Sequence, residues 1–406
     1  MDKIRFANPD VGLLEKQIIE SAIDTHQLTF GDYVRDFETK IAELSCCDKA
    51  VCFDSCTAAL EMSLRVLGIG PGDEVITTPF TYSATAEVIR NTGAKIVFAD
   101  LAPNGLEMDY NKVAKLITER TKAIIPVDYG GKLCDYDTLY KICIAHKNVF
   151  HPSSDIQSAI GRIAVVADAA HSFTAQQDGK VCGQFADFTC FSFHAVKVIT
   201  TGGEGGAVVW KNISGVDNNE IERKFRLLGD HGQTSRNKSK GWEYDIASFG
   251  YNHIMTNIDA AMGLGQIARI DELREKRRAV TSRYDLYIQD MCAPYGIKQQ
   301  ILHFGPNYES AMHLYPIFIP SCSLLGDEKR NKMYNILAEC GVPCNVHYKP
   351  LPMMTAYKNI GFDIKDFPQA YERFRTLLTI PYHTELTEEM QMYIVENIIK
   401  AMKMCD

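Results

Sequence analysis

The stretch FSFHAVKVITTGGEGGAVVW, residues 191–210, decides the fold of this chain. It joins two short apolar runs, typical of strands, through a lone lysine and a glycine-rich turn. A charged amine beside an apolar strand is costly, and a buried lysine whose pKa is lowered forms Schiff bases readily. Lys197 is therefore a candidate nucleophile. A surface lysine lying along apolar side chains fits the pattern equally well.

Other short apolar runs surround this stretch, and helical patterns such as 57–67 and 83–92 separate the first five of them. This alternation predicts an α/β domain with a mainly parallel sheet. The last two runs are close in sequence and are expected to be adjacent strands at the far end of the sheet. The predicted strands are 50–53, 74–77, 95–99, 123–128, 162–167, 187–193 and 206–210.

The second part of the chain has a different pattern. Residues 256–290 contain no proline and predict one long helix that bridges two domains. Strand-like and helical segments then alternate in a way that predicts a small α+β domain. We therefore expect a large α/β domain over 1–290 and a small domain over 291–406. The segments of the small domain are strand-like 312–319, helical 327–340, strand-like 343–348 and helical 387–403.

Composition excludes several classes of protein. The 406 residues are 46% hydrophobic and 23% charged. The net charge is −8 and the sequence contains no cluster of Lys and Arg, which disfavours nucleic-acid binding. No apolar run approaches the roughly 20 residues of a membrane span, and the N-terminus lacks the apolar segment of a secretory signal. The 13 cysteines contain no Cys-x-x-Cys pair, which indicates free thiols and no metal. We expect a cytoplasmic protein.

The segment DSCTAAL, residues 54–60, follows an apolar strand and opens a helix. Small residues and hydroxyls at such a turn expose backbone N–H groups, and the helix dipole favours a bound phosphate there. A plain N-cap, with Ser55 or Thr57 as the capping residue, explains the same residues.

Two more segments offer candidate ligand contacts. Asp168, in VVADAAHSF (165–173), follows a buried strand where α/β folds place ligands, and no neighbouring lysine or arginine pairs with it. A protonated heterocycle would supply the missing charge, although a solvated loop aspartate is also consistent. Tyr82, in TTPFTYSATAEVI (77–89), follows another strand and could either stack on a ring or pack in the protein.

Together these features match the requirements of pyridoxal 5′-phosphate (PLP). The phosphate requires an anion-binding turn, and the ring requires an aromatic side chain that stacks on it. The ring nitrogen requires a carboxylate, and the aldehyde requires a lysine. The chain contains all four in the order phosphate turn, aromatic, carboxylate and lysine.

The sequence resembles the DegT/DnrJ/EryC1/StrS family of sugar aminotransferases, a branch of the fold-type I PLP enzymes, over nearly its whole length. The resemblance implies a fold-type I architecture with a large mixed, mainly parallel sheet domain and a smaller C-terminal α+β domain. Its most specific part is Ser-Phe-His-x-x-Lys followed by Glu-Gly-Gly. Other matching stretches are LTFGDYVRDFE (28–38), IIPVDYGGKLCD (124–135), SFGYNHIMTNIDAAMGLGQI (248–267) and LTIPYHTELTEEM (378–390).

The resemblance also implies roles for single residues. Lys197 matches the lysine that binds the cofactor aldehyde, and Asp168 matches the partner of the ring nitrogen. His171 matches a position near the ring, and Tyr82 the residue that stacks on it. The implied phosphate contacts are Thr57, the backbone of Ala58, Ser192 and, from the neighbouring subunit of a homodimer, Asn252.

Two positions depart from the family pattern. Cys56 replaces a glycine in the phosphate turn, and Ile254 replaces an arginine that in some members holds the carboxylate of the amino donor. The resemblance therefore leaves the donor anchor unassigned.

The function implied is transfer of an amino group from a donor such as L-glutamate to a keto-sugar carried on a nucleotide, in amino-sugar biosynthesis for a surface polysaccharide or a secondary metabolite. A PLP- or pyridoxamine phosphate (PMP)-dependent sugar dehydratase is an alternative, but such relatives typically carry histidine at the position of Lys197. A keto-cyclitol acceptor also remains open. A non-catalytic protein of this fold would be expected to lack Lys197, Asp168 or Ser192, and all three are present.

Overall fold

A computed structural model describes residues 3–234, 240–320 and 326–405. Its centre is a sheet of seven strands in the spatial order β1-β9-β8-β5-β4-β2-β3. These strands are β1 (Ala50–Phe53), β2 (Glu74–Thr77), β3 (Lys95–Phe98), β4 (Thr121–Ile125), β5 (Ala164–Asp168), β8 (Phe188–Ser192) and β9 (Gly206–Trp210).

Helices cover this sheet and continue into the C-terminal part of the described chain. They are α1 (Leu13–Asp24), α2 (Asp32–Leu44), α3 (Cys56–Val66), α4 (Ala84–Asn91), α5 (Tyr110–Leu116), α6 (Tyr136–Ala145), α7 (Asp155–Ile160), α8 (Asn218–Gly229), α9 (Asn257–Ala268), α10 (Ile270–Tyr287), α11 (Gly326–Glu339), α12 (Thr355–Asn359), α13 (Pro368–Thr376) and α14 (Glu388–Lys403).

The direction of the strands explains where a site can form. Strands β2, β3, β4, β5 and β8 are mutually parallel, whereas β9 is antiparallel to both of its neighbours, β8 and β1. The carboxyl ends of β1, β2, β4, β5 and β8 therefore open at one edge of the sheet. Ligands of α/β proteins bind at this edge. The predicted mainly parallel sheet is confirmed, and the two strands from residues 191–210 are adjacent, with β1 beyond them at the edge.

The start of β9 leaves no room for a side chain. A Cβ atom at Gly206 would lie 2.3 Å from the backbone nitrogen of Cys56, at the start of α3. This glycine therefore allows strand β9 to approach the turn that follows β1, whereas Gly202 and Gly203 have open space around the Cβ position.

The prediction of one helix over 256–290 is wrong. Helix α9 ends at Ala268, and α10 begins at Ile270, because Arg269 has a non-helical backbone with φ −111° and ψ 14°. The guanidinium of Arg269 forms ion pairs with Asp10 and Glu15 at 2.8 and 2.9 Å, which attach this corner to the N-terminal segment. The helical spacing of apolar residues continues from α9 into α10, so the sequence pattern does not indicate the break at Arg269.

The C-terminal part contains a second, antiparallel sheet built from β10 (Lys298–Gln299), β13 (Tyr315–Phe318) and β14 (Leu377–Ile380). The strand expected at 343–348 does not form, because Asn345 Oδ1 accepts the N–H of Val346 and only Asn345 bridges to β14. Helix α13 and strand β14 were not anticipated. The domain boundary at 290 stays a prediction.

A third small sheet joins the two parts of the chain. It contains β6 (Gln176–Gln177), β7 (Lys180–Val181), β11 (Phe304–Gly305) and β12 (Tyr308–Glu309), in the order β11-β12-β6-β7. Strand β12 pairs with β6, so the segment after β5 is linked directly to the chain beyond α10.

Candidate active site

A cavity of about 590 Å³ opens at the carboxyl ends of the parallel strands. Its wall contains six of the eight predicted site residues, which come from four segments: the start of α3, the loop before α4, the end of β5 with the turn after it, and the end of β8 with the turn that leads to β9. The exceptions are Ala58 and Asn252. The six lining residues are Thr57, Tyr82, Asp168, His171, Ser192 and Lys197.

Lys197 lies in the turn between β8 and β9, and its backbone is held on both sides. Its N–H donates to the carbonyl of His194 at 2.9 Å, and its carbonyl accepts from Arg277 at 3.3 Å. Burial lowers the pKa of the Lys197 amine, an effect that Asp168 opposes. The amine forms no hydrogen bond or ion pair within the described ranges of the chain. It is therefore available to a ligand in the cavity.

Asp168 is the last residue of β5, and its side chain is buried. Thr85 donates to Oδ2 at 2.6 Å, and the N–H of Ala170 donates to Oδ1 at 3.2 Å. Burial raises the pKa of the Asp168 carboxyl, while these two hydrogen bonds and Lys197 act in the opposite direction. No cation forms an ion pair with Asp168 among the residues described, so a protonated ring would complete its environment.

His171 lies beside these residues as a neutral imidazole. Its Nδ1 accepts the N–H of Gly130 at 3.1 Å, so its proton is on Nε2, which lies 3.3 Å from the hydroxyl of Tyr348. Burial, together with the charge of Lys197, holds the pKa of His171 well below its ordinary value. Gly130 thus fixes the tautomer through the turn that follows β4.

The turn before α3 has the form expected of a helix start. Ser55 is the N-cap, and its Oγ accepts the N–H of Ala58 at 3.1 Å. The amide predicted to bind phosphate is therefore engaged by Ser55, whereas Thr57 and Ser55 face the cavity. Cys56 replaces the family glycine without a left-handed backbone, and its thiol points to the carbonyl of Cys190 at 3.5 Å.

Two tyrosines lie at the mouth of the cavity. Tyr82 is 65% exposed, and its ring centroid is 6.4 Å from that of Tyr348. Tyr348 also lines the cavity, although no sequence pattern had indicated it. His347 lines the cavity as well, and Thr85 donates a hydrogen bond to Asp168 in its wall. Neither was selected from the sequence, because their roles depend on contacts between distant segments.

Asn252 is exposed and does not line the cavity. Its backbone bridges to Asp230, and the next residue, His253, binds Asp54 through Nδ1 and Oδ2 at 2.9 Å. Ile254 bridges to Phe53 and likewise lies outside the cavity wall.

The pair of His253 and Asp54 gives a pH prediction. The hydrogen bond that His253 donates to Asp54 is the largest cause of the raised pKa of His253, and the charge of Glu61 adds to it. In an NMR titration, Asp54→Asn should bring the pKa of His253 down toward about 6.5, whereas Glu61→Gln should lower it less. The pair stabilises the fold below that ordinary pKa, and its contribution is lost as the pH rises through the raised value. An unchanged titration in Asp54→Asn would contradict the assignment.

The residues around the cavity fit PLP. A free amine, a buried carboxylate without a counter-charge, and hydroxyls beside a helix N-terminus are the groups that its aldehyde, ring nitrogen and phosphate require. The volume lies in the ordinary range for small-molecule sites. Within the described ranges, no three His, Cys, Asp or Glu side chains are grouped to hold a metal ion. Nor does any helix described here have the length and apolar composition to cross a bilayer.

Known proteins share this architecture. A Streptococcus pneumoniae protein described as a sugar aminotransferase, solved in PLP and PMP forms, is 39% identical; the PMP form covers 99% of this chain and 98% of its own, with a TM-score of 0.94. The spore coat polysaccharide biosynthesis protein SpsC of Bacillus subtilis is 32% identical over 98% of this chain and 96% of its own length.

A third relative carries a more specific name. The UDP-4-amino-4,6-dideoxy-N-acetyl-beta-L-altrosamine transaminase of Helicobacter pylori is 29% identical over 99% of this chain and 98% of its own length. Residues 10–399 match a single family along almost the entire chain. The chain belongs to the DegT/DnrJ/EryC1/StrS aminotransferase family and has the fold-type I architecture of its solved members.

Proposed function

We propose that this protein is a PLP-dependent aminotransferase that transfers an amino group from L-glutamate to a keto-sugar carried on a nucleotide. The observation that carries the proposal is the pairing, in one cavity, of the free Lys197 amine with the buried Asp168 carboxylate. Bound PLP supplies an aldehyde that accepts the amino group and a ring that takes up electron density as a C–H bond is broken.

Lys197 and Asp168 have different roles in the proposed reaction. Lys197 holds the cofactor covalently and then moves a proton between carbon atoms, which requires an amine that is neutral near physiological pH. Burial favours that neutral form. Asp168 supplies the negative charge that keeps the ring nitrogen protonated, and Thr85 orients the carboxylate through its 2.6 Å hydrogen bond.

Other groups bind and orient the cofactor. The hydroxyls of Thr57 and Ser192, together with the N-terminus of α3, bind the phosphate. Tyr82 stacks on the ring. His171 donates its Nε2 proton toward Tyr348, which orients the hydroxyl of that tyrosine at the cavity mouth.

The keto-sugar acceptor is supported by the relatives. The Helicobacter relative is named for a UDP-linked amino sugar, and the Bacillus relative for polysaccharide biosynthesis. A role in amino-sugar biosynthesis for a polysaccharide follows for this chain. The net charge of −8 does not oppose a nucleotide substrate, because local groups rather than the total charge contact a diphosphate.

An assay in two stages tests the proposal. L-glutamate alone should convert the bound PLP to PMP, which is followed by the loss of visible absorbance, and a panel of nucleotide-linked keto-sugars should then restore it. A keto-cyclitol in the same panel distinguishes that alternative acceptor. Deoxygenation of the sugar without net amino transfer would favour the dehydratase and contradict the aminotransferase.

We further propose a homodimer with shared active sites in the cytoplasm. Residues 240–250, which precede Asn252, expose several large apolar side chains, and Phe249 is 98% exposed. Such a cluster is unfavourable in water and is typical of an interface. We propose that a second copy covers this segment and that Asn252 then contacts the cavity of that copy. The other exposed apolar residues are Trp242, Tyr244 and Ile246.

Mixed dimers test the shared site. In a dimer of one Lys197→Ala and one Asn252→Ala subunit, one site carries both changes and the other carries neither. An equal mixture of the two inactive variants should therefore recover about a quarter of the wild-type activity after subunit exchange. The control is each variant exchanged with itself, which should stay inactive. Absence of recovery in mixtures that contain heterodimers would show that each subunit builds its site alone.

A further inference from the structure

Arg277 is a buried arginine next to the proposed catalytic lysine. It lies on α10, is only 8% exposed, and forms no ion pair with a carboxylate anywhere in residues 3–234, 240–320 and 326–405. A buried guanidinium without a carboxylate partner is costly unless other groups satisfy it. Its Nε has no hydrogen-bond partner, so the remaining nitrogens carry its contacts.

Those contacts join two separate segments. Nη2 donates to the carbonyl of Lys197 at 3.3 Å, and Nη1 donates to the carbonyl of Met312 at 3.1 Å. Met312 has a left-handed backbone with φ 50°, a conformation that is unfavourable for a residue other than glycine. The arginine therefore bonds to the carbonyl of a residue that has an unfavourable backbone conformation.

The second segment packs against a residue of the cavity wall, His171. His313 follows Met312, its N–H donates to the carbonyl of Gly130, and its ring centroid is 4.4 Å from that of His171. Arg277 thus links the turn of Lys197 to the segment that packs against His171.

We propose that Arg277 is a positioning residue for Lys197: it fixes the lysine backbone relative to the segment at 312–313 so that the amine is held in the cavity. This inference rests on the role of Lys197 in the proposed function. The N–H of Lys197 is already bonded to His194 within its own turn. Arg277 provides the only contact to its carbonyl that we find in the described chain.

The chain offers a matched control. Arg330 is also buried, and it also donates to two backbone carbonyls, those of Phe374 and Leu377 at 2.6 and 3.2 Å. It lies on α11, and it does not line the cavity. Arg330 also donates from Nε to Asn331 Oδ1 at 2.9 Å. Arg277→Met and Arg330→Met therefore both remove buried hydrogen bonds to backbone carbonyls, but only the first removes one to Lys197.

The experiment measures how fast the lysine reacts. Full-length apoprotein is mixed with PLP, samples are reduced with borohydride at successive times, and the modified Lys197 peptide is quantified by mass spectrometry. Visible circular dichroism of the bound PLP reports how firmly it is oriented. Arg277→Met should slow formation of the adduct by about tenfold to a hundredfold and weaken the dichroism per bound PLP. Arg330→Met should lower the melting temperature without either change.

The outcomes separate the two proposals. If the wild type forms no adduct at Lys197, the proposed function is wrong and this inference is overturned with it. If the wild type reacts and Arg277→Met reacts equally fast, or Arg330→Met reacts equally slowly, only the positioning role is overturned. If Arg277→Met does not fold, Arg277→Lys serves as the second variant. Arg277→Lys should form the PLP adduct at a rate between those of the wild type and Arg277→Met, and a wild-type rate would overturn the proposal.

Discussion

Lys197→Ala should bind PLP without a covalent bond and lose amino transfer by at least about 10⁴-fold. The reason is that the same amine both holds the cofactor and moves the proton, so no other group in the cavity replaces it. The structure places its amine in the cavity with no other partner in the described chain. The loss is measured as the rate at which L-glutamate removes the visible absorbance of the bound PLP.

Lys211 gives a matched control for this variant. Burial lowers the pKa of its amine as well, but the amine donates to the carbonyl of Phe185 at 2.7 Å and does not line the cavity. Lys211→Ala should keep both the adduct and the activity. A PLP–protein adduct trapped in Lys197→Ala, together with turnover, would refute the assignment of this lysine.

Asp168→Asn should bind PLP but react with L-glutamate about a thousandfold more slowly, a barrier increase of roughly 4 kcal/mol. Asparagine keeps the shape and accepts the hydrogen bond from Thr85, but it lacks the charge that stabilises a protonated ring nitrogen. If Asp168 served only to bind the N–H of Ala170, asparagine would be a good substitute. Single-turnover conversion of PLP to PMP at close to the wild-type rate would therefore contradict the proposed role.

Asp187 controls for the loss of a buried carboxylate. It precedes β8 at the end opposite the cavity, and it forms an ion pair with Arg162 at 2.7 Å. Asp187→Asn should lower the melting temperature, because it leaves Arg162 without its partner. Below its melting temperature, Asp187→Asn should convert bound PLP to PMP with L-glutamate at the wild-type rate.

The family, the fold class, the aminotransferase class and the cofactor could be predicted correctly from the sequence. Local patterns were sufficient because Lys197, Asp168 and Ser192 each stand at the end of a strand or in the turn that follows it. In a parallel sheet such positions meet at one edge, whatever the distance between them along the chain. The roles of the individual residues stay predictions.

What the sequence did not indicate depends on contacts between distant segments. The hydrogen bond from Thr85 to Asp168 and the two carbonyl contacts of Arg277 leave no periodic pattern. The helix break at Arg269 is also set from outside, by Asp10 and Glu15. In all three cases, the role of a polar side chain can be recognised only when its partner in the folded chain is known.

The antiparallel strand β9 has a consequence for the order of assembly during synthesis. It lies between β8 and β1, so β1 has no strand partner until β9 has been made. Gly206 at the start of β9 also packs against the turn that begins α3. The turn that we propose to bind the phosphate is encoded early, but its surroundings are therefore completed only after Lys197 has been synthesised. A nascent chain ending before residue 206 should thus be unable to retain PLP, since neither the lysine nor the turn yet has its final surroundings.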